Sequence, residues 1–285
     1  MQQFINNIRR ELQGLYSHSE LSALIRIILE EALNIDYIRI NHYKINNLSL
    51  SEVSKVEDIV SRLKKNEPIQ YVIGKTEFFG LNFKVTPDVL IPRPETEELV
   101  DWILSENTDE NYNILDIGTG SGCIAVTLAK KLPGAEVHAC DISKDALNIA
   151  IENARLNDVI VNFLQLDVLS VKAKQLISQW NKFDLIVSNP PYVMESEKKS
   201  MDANVLRFEP HKALFVTNEN PLVFYDVIAD LALNMLKDRG RLYCEINRAL
   251  GEELILLLEN KGFEDVELRK DISGNFRMIK GVKNR

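Results

Sequence analysis

Cysteine is scarce. The 285 residues hold three, Cys123, Cys140 and Cys244, without a CxxC spacing. An odd count with no paired spacing argues against a disulfide framework and a thiolate zinc site, and predicts a reducing compartment. The four histidines, His18, His42, His138 and His211, are scattered with no ligand spacing, so all are read as non-catalytic and no metal is expected. No run approaches about 18 apolar residues, the length needed to span a bilayer. The opening MQQFINNIRRELQ is polar and helical in pattern and lacks the apolar core of a signal peptide, which predicts a cytoplasmic protein. Basic charge is in deficit: 34 Lys and Arg stand against 42 Asp and Glu, a net charge of -8. Such a chain repels nucleic-acid phosphates at long range, so no direct nucleic-acid partner is expected. Internal repeats and low-complexity tracts are also missing.

Hydrophobic residues make up 45% and charged residues 27%, enough for a sizeable core under an ordinary soluble surface. The length suits two domains. From Phe4 to about Lys65, apolar residues recur at helical steps: Ile5, Ile8, Leu12 and Leu15; Leu21 through Leu33; Val53, Val56, Ile59, Val60 and Leu63. This predicts a bundle of roughly four helices over residues 1–67. Pro68 breaks the pattern, and Tyr71 to Val85, with Gly74 and Gly80, predicts a hairpin linker over 68–90. From residue 91 to 285, short apolar strands alternate with helices, which implies a parallel sheet covered on both faces. The strands are expected at 113–117, 135–140, 161–166, 183–187 and 241–246. An antiparallel hairpin over 265–270 and 276–282 should then add edge strands. In such sheets ligands bind at the carboxyl ends of the strands. Asp116, Asp141, Asp167 and Asn189 all fall there.

The loop Asp116-Ile117-Gly118-Thr119-Gly120-Ser121-Gly122 follows the first of these strands. Its glycines allow a sharp turn and close approach to a ligand. The spacing is GxGxG, not the GxGxxG of dinucleotide binders. Asp141, 23 residues beyond Gly118, is placed to accept both ribose hydroxyls, and Asp167 to accept from an adenine amino group. An adenosine without phosphate fits S-adenosylmethionine better than NAD. The bland alternative is a tight strand-helix turn without a ligand.

Ser188-Asn189-Pro190-Pro191-Tyr192 follows the fourth strand. Consecutive prolines remove two backbone donors. That leaves two acceptors, the Asn189 side-chain oxygen and the Pro190 carbonyl, to grip both protons of an NH2 group. Such a group is an exocyclic amine or a carboxamide, a planar and weakly nucleophilic nitrogen. Tyr192 offers a ring to stack on it. The tetrapeptide by itself leaves a nucleobase amine and a glutamine amide equally open, and a rigid Asx-turn loop is the bland reading. Elsewhere, Arg93 and Glu97 read as a capped helix start with a salt bridge or as the site entrance. Arg207 and Glu209 read as a pair, with each other or a neighbour, that fixes the loop after Tyr192. Lys198-Lys199 reads as a solvated loop end or as a face for an acidic partner, and Cys123 and Cys140 as packed, unreactive neighbours of the glycine loop.

Ile91-Pro92-Arg93-Pro94-Glu95-Thr96-Glu97, the glycine loop, Ser188 to Tyr192, and Arg207-Phe208-Glu209-Pro210 followed by Ala213-Leu214 stand together in this chain. With them it resembles the HemK/PrmC family, the peptide chain release factor glutamine methyltransferases, from about Pro68 to the C-terminus. The resemblance implies a class I methyltransferase: a Rossmann-like, mostly parallel seven-stranded sheet with a C-terminal antiparallel hairpin, behind a small helical domain that docks the protein substrate. The acceptor implied is the glutamine of the Gly-Gly-Gln motif of a release factor, giving N5-methylglutamine and S-adenosylhomocysteine. Gly118, Thr119, Gly120, Ser121, Gly122, Asp141, Asp167, Val168 and Asn189 would hold the cofactor. Asn189, Pro190, Pro191 and Tyr192 would hold the amide, with Asn189, Pro190 and Tyr192 catalytic. Where some family members carry an aromatic that covers the adenine, this sequence has Val168, which packs on the ring with a weaker stacking term. A monomer is expected. The competing readings are a ribosomal-protein glutamine methyltransferase, a DNA or RNA amino-group methyltransferase, and a non-enzymatic binding module.

Overall fold

The computed structural model describes residues 2–34, 48–107, 111–173, 175 and 180–285. The chain divides into two compact units: Met1–Gly74 with Asp202–Phe208, and Lys75–Met201 with Glu209–Arg285.

The expected helices fill the first unit. α1 (Gln2–Leu12), α2 (His18–Leu33) and α3 (Leu50–Leu63) bury Ile5, Ile8, Leu24, Ile28, Val56 and Ile59 in one cluster, because three- and four-residue steps put these side chains on single stripes. Ser17 starts α2 by accepting from Glu20 N. Ser49 starts α3 with a reciprocal capping box to Glu52. Leu15, expected in the apolar series of α1, is 46% exposed: the helix stops at Leu12 and Gly14 turns the chain. A short α4 (Ile69–Ile73) is clamped by Arg62, which donates to the carbonyls of Tyr71 and Val72. His42 lies outside the described residues.

The expected linker therefore divides. Its first part is α4, in the first unit. β1 (Lys75–Phe78) and β2 (Leu81–Lys84) form an antiparallel hairpin that belongs to the second. Burial is the reason. Phe78 and Phe83 meet edge to face, 5.9 Å between ring centroids, and share a core with Leu99 and Trp102.

After α5 (Pro94–Glu106) the main sheet begins. Its elements are β3 (Asn113–Ile117), α6 (Cys123–Lys131), β4 (Glu136–Asp141), α7 (Lys144–Leu156), β5 (Asn162–Gln165) and β6 (Phe183–Ser188). Then come β7 (Val193–Met194), α8 (Ala203–Phe208), which is counted with the first unit, and β8 (Phe215–Val216), which pairs β7 separately. α9 (Val223–Met235), β9 (Leu236–Glu245), α10 (Gly251–Lys261), β10 (Phe263–Lys270) and β11 (Phe276–Lys283) complete the chain.

Among the described residues the sheet has seven strands in the order β10-β11-β9-β6-β3-β4-β5. β5, β4, β3, β6 and β9 pair in parallel, while β11 is antiparallel to both of its neighbours. The C-terminal hairpin thus inserts β11 inside the sheet and leaves β10 at the edge. Alternate residues serve opposite faces. Ile114, Leu185 and Val187 pack with Leu99 of α5 and Ile124 of α6, whereas Leu115, Ile117 and Ile186 pack with Ile228 of α9 and Leu254 of α10. β9 starts earlier than expected. Asp238-Arg239-Gly240 sits in an irregularity of the strand, where pairing with β6 passes from Phe183↔Leu236 to Leu185↔Arg241.

Candidate active site

Strand register collects the predicted residues along one edge. Ile117 pairs with Cys140 on one side and with Ser188 on the other, and Ser188 also pairs with Cys244. The next residue on each strand is therefore Asp141, Gly118, Asn189 or Glu245, a row across the carboxyl ends of β4, β3, β6 and β9. The chain passes from β3 through β4 to β5 on one side, then returns to β6 and β9 on the other. The β3–β6 boundary is thus the topological switch point, where open α/β sheets bind ligands.

The glycine loop is anchored by backbone bonds. The N–H groups of Gly118 and Thr119 both donate to the Cys140 carbonyl, at 2.9 and 3.0 Å. Thr119 Oγ1 donates to Asp116 Oδ2 at 2.6 Å, and fully buried Asn153 donates to the Ser121 carbonyl at 2.9 Å. The same Asn153 accepts from Lys84 N, which ties β2 to the loop. Asp141 Oδ2 accepts from Gly120 N and its Oδ1 from Ser143 N, each at 2.8 Å. These bonds aim the carboxylate. Burial raises the pKa of Asp141, opposed by the amides of Ser143 and Gly120. Asp116, wholly buried, is pushed by desolvation up to about 7, with Thr119 opposing. Burial likewise pushes the Cys123 and Cys140 thiols up to about 12, so both stay neutral as packed neighbours of the loop.

Asp167 stands apart from this row. β5 ends at Gln165, so Asp167 lies two residues beyond the strand rather than at its end, because pairing to β4 stops at Asp141↔Gln165. It is exposed, and its Oδ1 accepts from Leu169 N at 2.9 Å in a local turn. Val168 is half-buried and packs against the α9–α10 side of the core.

The second half of the site is a hydrogen-bond chain. Asn189 Nδ2 donates to Thr96 Oγ1 at 3.2 Å, and Thr96 Oγ1 donates to Glu245 Oε2 at 2.6 Å. Tyr192 donates its hydroxyl to Glu245 Oε1 at 2.9 Å, and Tyr225 donates to the Glu245 carbonyl at 3.0 Å. Glu245 is 1% exposed and Thr96 2%. Burial raises the pKa of Glu245, while the Thr96 and Tyr192 hydroxyls oppose that shift. Burial and the Glu245 charge push Tyr192 well above its ordinary value, so the phenol stays a donor. Asn247 donates to the Tyr192 carbonyl at 3.1 Å, and Ser188 Oγ to the Ile117 carbonyl at 2.7 Å. Tyr192 is thus anchored at its hydroxyl and packed on the core as well as offering a ring. Thr96, Glu245 and Asn247 were not among the predicted site residues. The signal for Glu245 was its charge in an apolar strand, at the same carboxyl end that marked the four predicted positions.

Three other readings resolve. Glu209 pairs with Arg93 at 2.5 Å and accepts from Ile91 N, while Arg207 stacks on Phe208, so the Arg207–Glu209 pairing gives way to a neighbour. Glu97 accepts from Phe79 N at 2.6 Å, and Lys198 pairs with Glu195 and lies over the Phe215 ring. No described helix is long and apolar enough to cross a membrane.

A family model described as PrmC N-terminal domain matches residues 3–74, and one described as Methyltransferase small domain matches residues 96–214. The release factor glutamine methyltransferase of Bacteroides thetaiotaomicron is 49% identical over 272 residues, covering 95% of this chain and 96% of the relative. The chain belongs to the release factor glutamine methyltransferase family. The Flavobacterium psychrophilum relative is 46% identical, covering 94% of each chain. The Lactococcus lactis relative is 42% identical over 88% of this chain and 94% of its own. Among solved structures, the 16S rRNA methyltransferase of T. thermophilus in complex with AdoMet and guanosine matches with TM-score 0.54 and 19% identity over 74% of this chain and 50% of that one, a likeness of fold. A Pyrococcus furiosus methyltransferase matches similarly, with TM-score 0.53 and 18% identity over 79% of this chain and 98% of that one.

This release factor glutamine methyltransferase family member is therefore an S-adenosylmethionine-dependent enzyme. A Cβ built on Gly118 or Gly120 meets nothing within 4 Å among the described residues, so the loop presents open backbone beside the Asp141 carboxylate.

Proposed function

We propose that the protein transfers a methyl group from S-adenosylmethionine to the side-chain amide nitrogen of the glutamine in the Gly-Gly-Gln motif of a peptide chain release factor. The products are N5-methylglutamine and S-adenosylhomocysteine. The observation that carries the reading is the hydrogen bond from Asn189 Nδ2 to Thr96, which leaves Oδ1 as the atom for a substrate NH2 group.

When bound, S-adenosylmethionine supplies an electrophilic methyl on a sulfonium sulfur. The Gly118 to Gly122 backbone and Asp141 would hold it, Asp141 accepting from the ribose hydroxyls, and Asp167 and Val168 would serve the adenine. Asn189 Oδ1 and the Pro190 carbonyl each accept one proton of the glutamine amide. These bonds raise electron density on a nitrogen whose lone pair is otherwise delocalised, and they stabilise the positive charge it gains. They also fix its direction of approach. Pro191 and Tyr192 wall the amide plane. Methylation makes the nitrogen acidic, so a proton leaves to water and no side-chain base is needed.

The helical unit, which matches the PrmC N-terminal domain over residues 3–74, docks the release factor away from the glutamine. The protein acts as a monomer in the cytoplasm, without direct contact to nucleic acid. Intact-mass analysis of a release factor before and after reaction tests the reading. A gain of one methyl that disappears when the motif glutamine is changed to alanine is expected. Equal labelling of both forms, or labelling of a ribosomal protein instead, would refute the assigned substrate.

A further inference from the structure

The Asn189 amide is symmetric in shape but not in function, since only its oxygen can accept a substrate proton. Something must decide which end faces the substrate. We infer that Thr96 and Glu245 are the positioning residues that make this decision, an inference that rests on the reading of Asn189 as the amide grip.

The argument is one of donor and acceptor counting. Glu245 is fully buried, with its Oε2 facing the Thr96 hydroxyl at 2.6 Å and its Oε1 facing the Tyr192 hydroxyl at 2.9 Å. As a carboxylate Glu245 only accepts, a state that the Thr96 and Tyr192 hydroxyls and the Arg277 charge favour against its burial, so both hydroxyl protons are committed to it. Thr96 Oγ1 then has no proton for Asn189 and can only accept. The partner it can take from Asn189 is the NH2 end, which is the bond observed at 3.2 Å. Oδ1 is turned the other way. Glu245 therefore sets the polarity of a chain that ends on the substrate amide, without touching it. The buried state of Thr96 and Glu245 excludes water as a competing donor that could reverse the chain. Tyr225, which donates to the Glu245 carbonyl, and Asn247, which donates to the Tyr192 carbonyl, fix the backbone at both ends of the carboxylate.

The test compares Thr96→Val, Thr96→Ser and Glu245→Gln with Asn189→Ala. For each, kcat and KM for the release factor, S-adenosylmethionine affinity by calorimetry, and the melting temperature are measured. Valine keeps the shape of Thr96 but removes the acceptor, so kcat should fall by about tenfold to a hundredfold while cofactor affinity stays within about threefold. Serine restores the acceptor and should return kcat to within about threefold of the parent. Glutamine in place of Glu245 brings a donor to one hydroxyl and should lower kcat by about tenfold or more. If Asn189→Ala is inactive while Thr96→Val keeps the parent kcat, the positioning role is overturned and the amide grip stands. If Asn189→Ala itself turns over normally, the grip fails. Should Thr96→Val not fold, Glu245→Gln decides: an unchanged kcat in that variant overturns the inference.

Discussion

The guanidinium of Arg93 holds the Glu209 carboxylate at 2.5 Å, across 116 positions of sequence. The pair joins the Ile-Pro-Arg-Pro turn that opens α5 to Glu209-Pro210, beyond Tyr192. Its two members are unequally placed: the Glu209 side chain is 1% exposed and that of Arg93 is 31%. Removing the arginine strands a charge in the interior, and such losses cost about 3 kcal/mol or more. Arg93→Ala should therefore destabilise the protein by about that amount in urea unfolding, and Glu209→Gln, which leaves no stranded charge, by clearly less. Equal and small losses from the two would show that the pair is ornamental.

The amide grip and the cofactor carboxylate should separate kinetically. Asn189→Ala removes an acceptor from the transition state and should lower kcat by about a hundredfold or more, with much of the cofactor affinity retained. Asp141→Ala should instead raise the S-adenosylmethionine Kd by about tenfold or more, because charge-assisted bonds to hydroxyls are worth that much. It also frees the amides of Gly120 and Ser143. Calorimetry and single-turnover rates on both variants check the split. An Asn189→Ala enzyme within threefold of the parent contradicts its role.

What could be read in advance follows the range of the interactions. α7 was legible residue by residue, since Ser143 caps it and its apolar spacing is local. β3 was legible as a short apolar run between polar turns. The turn at Ser273 to Asn275 announced the last hairpin, but nothing local says which of its strands pairs with β9. The insertion of β11 is a long-range choice. The site divides in the same way. Gly118, Asp141 and Asn189 follow strand ends that are visible one at a time. Thr96 and Glu245 become partners only when a helix start and a strand end 149 positions apart are brought together. The β1–β2 hairpin was legible as a hairpin, but its share in the second core was not, because its two buried phenylalanines look no different, in sequence, from exposed ones.

Gly118 and Gly122 both have positive φ, at 74° and 81°, yet they should fail differently. A Cβ on Gly118 enters open space, so Gly118→Ala costs only the backbone strain, about 1 kcal/mol, and its methyl projects where the cofactor is proposed to lie. A Cβ on Gly122 would stand 3.0 Å from Ala150 Cβ, inside the packing of α6 against α7. Gly122→Ala should lose about 1–3 kcal/mol beyond the strain. Thermal melts and cofactor titrations on both variants should show the larger stability loss at Gly122 and the larger affinity loss relative to stability at Gly118. The reverse ranking would mean that the open side of the loop is not the cofactor side.

Asp116 makes the final prediction, on pH. Burial lifts its folded pKa to about 7 from an ordinary 3.8, the Thr119 hydroxyl only partly opposing, and its Oδ1 has no hydrogen-bond partner among the described residues. The folded protein therefore keeps a proton that the unfolded chain has already released between about pH 4 and about pH 7. In that window stability falls as pH rises, and above it the penalty is constant. Other groups add slopes of their own, so the contribution is isolated by difference. Asp116→Asn cannot ionise, and its stability relative to the parent should improve on going from about pH 5 to about pH 8. Urea unfolding of both proteins at the two pH values measures the change. Parallel profiles would mean that the carboxyl beneath the glycine loop is ionised throughout, with a cation or water supplying the partner that Oδ1 lacks.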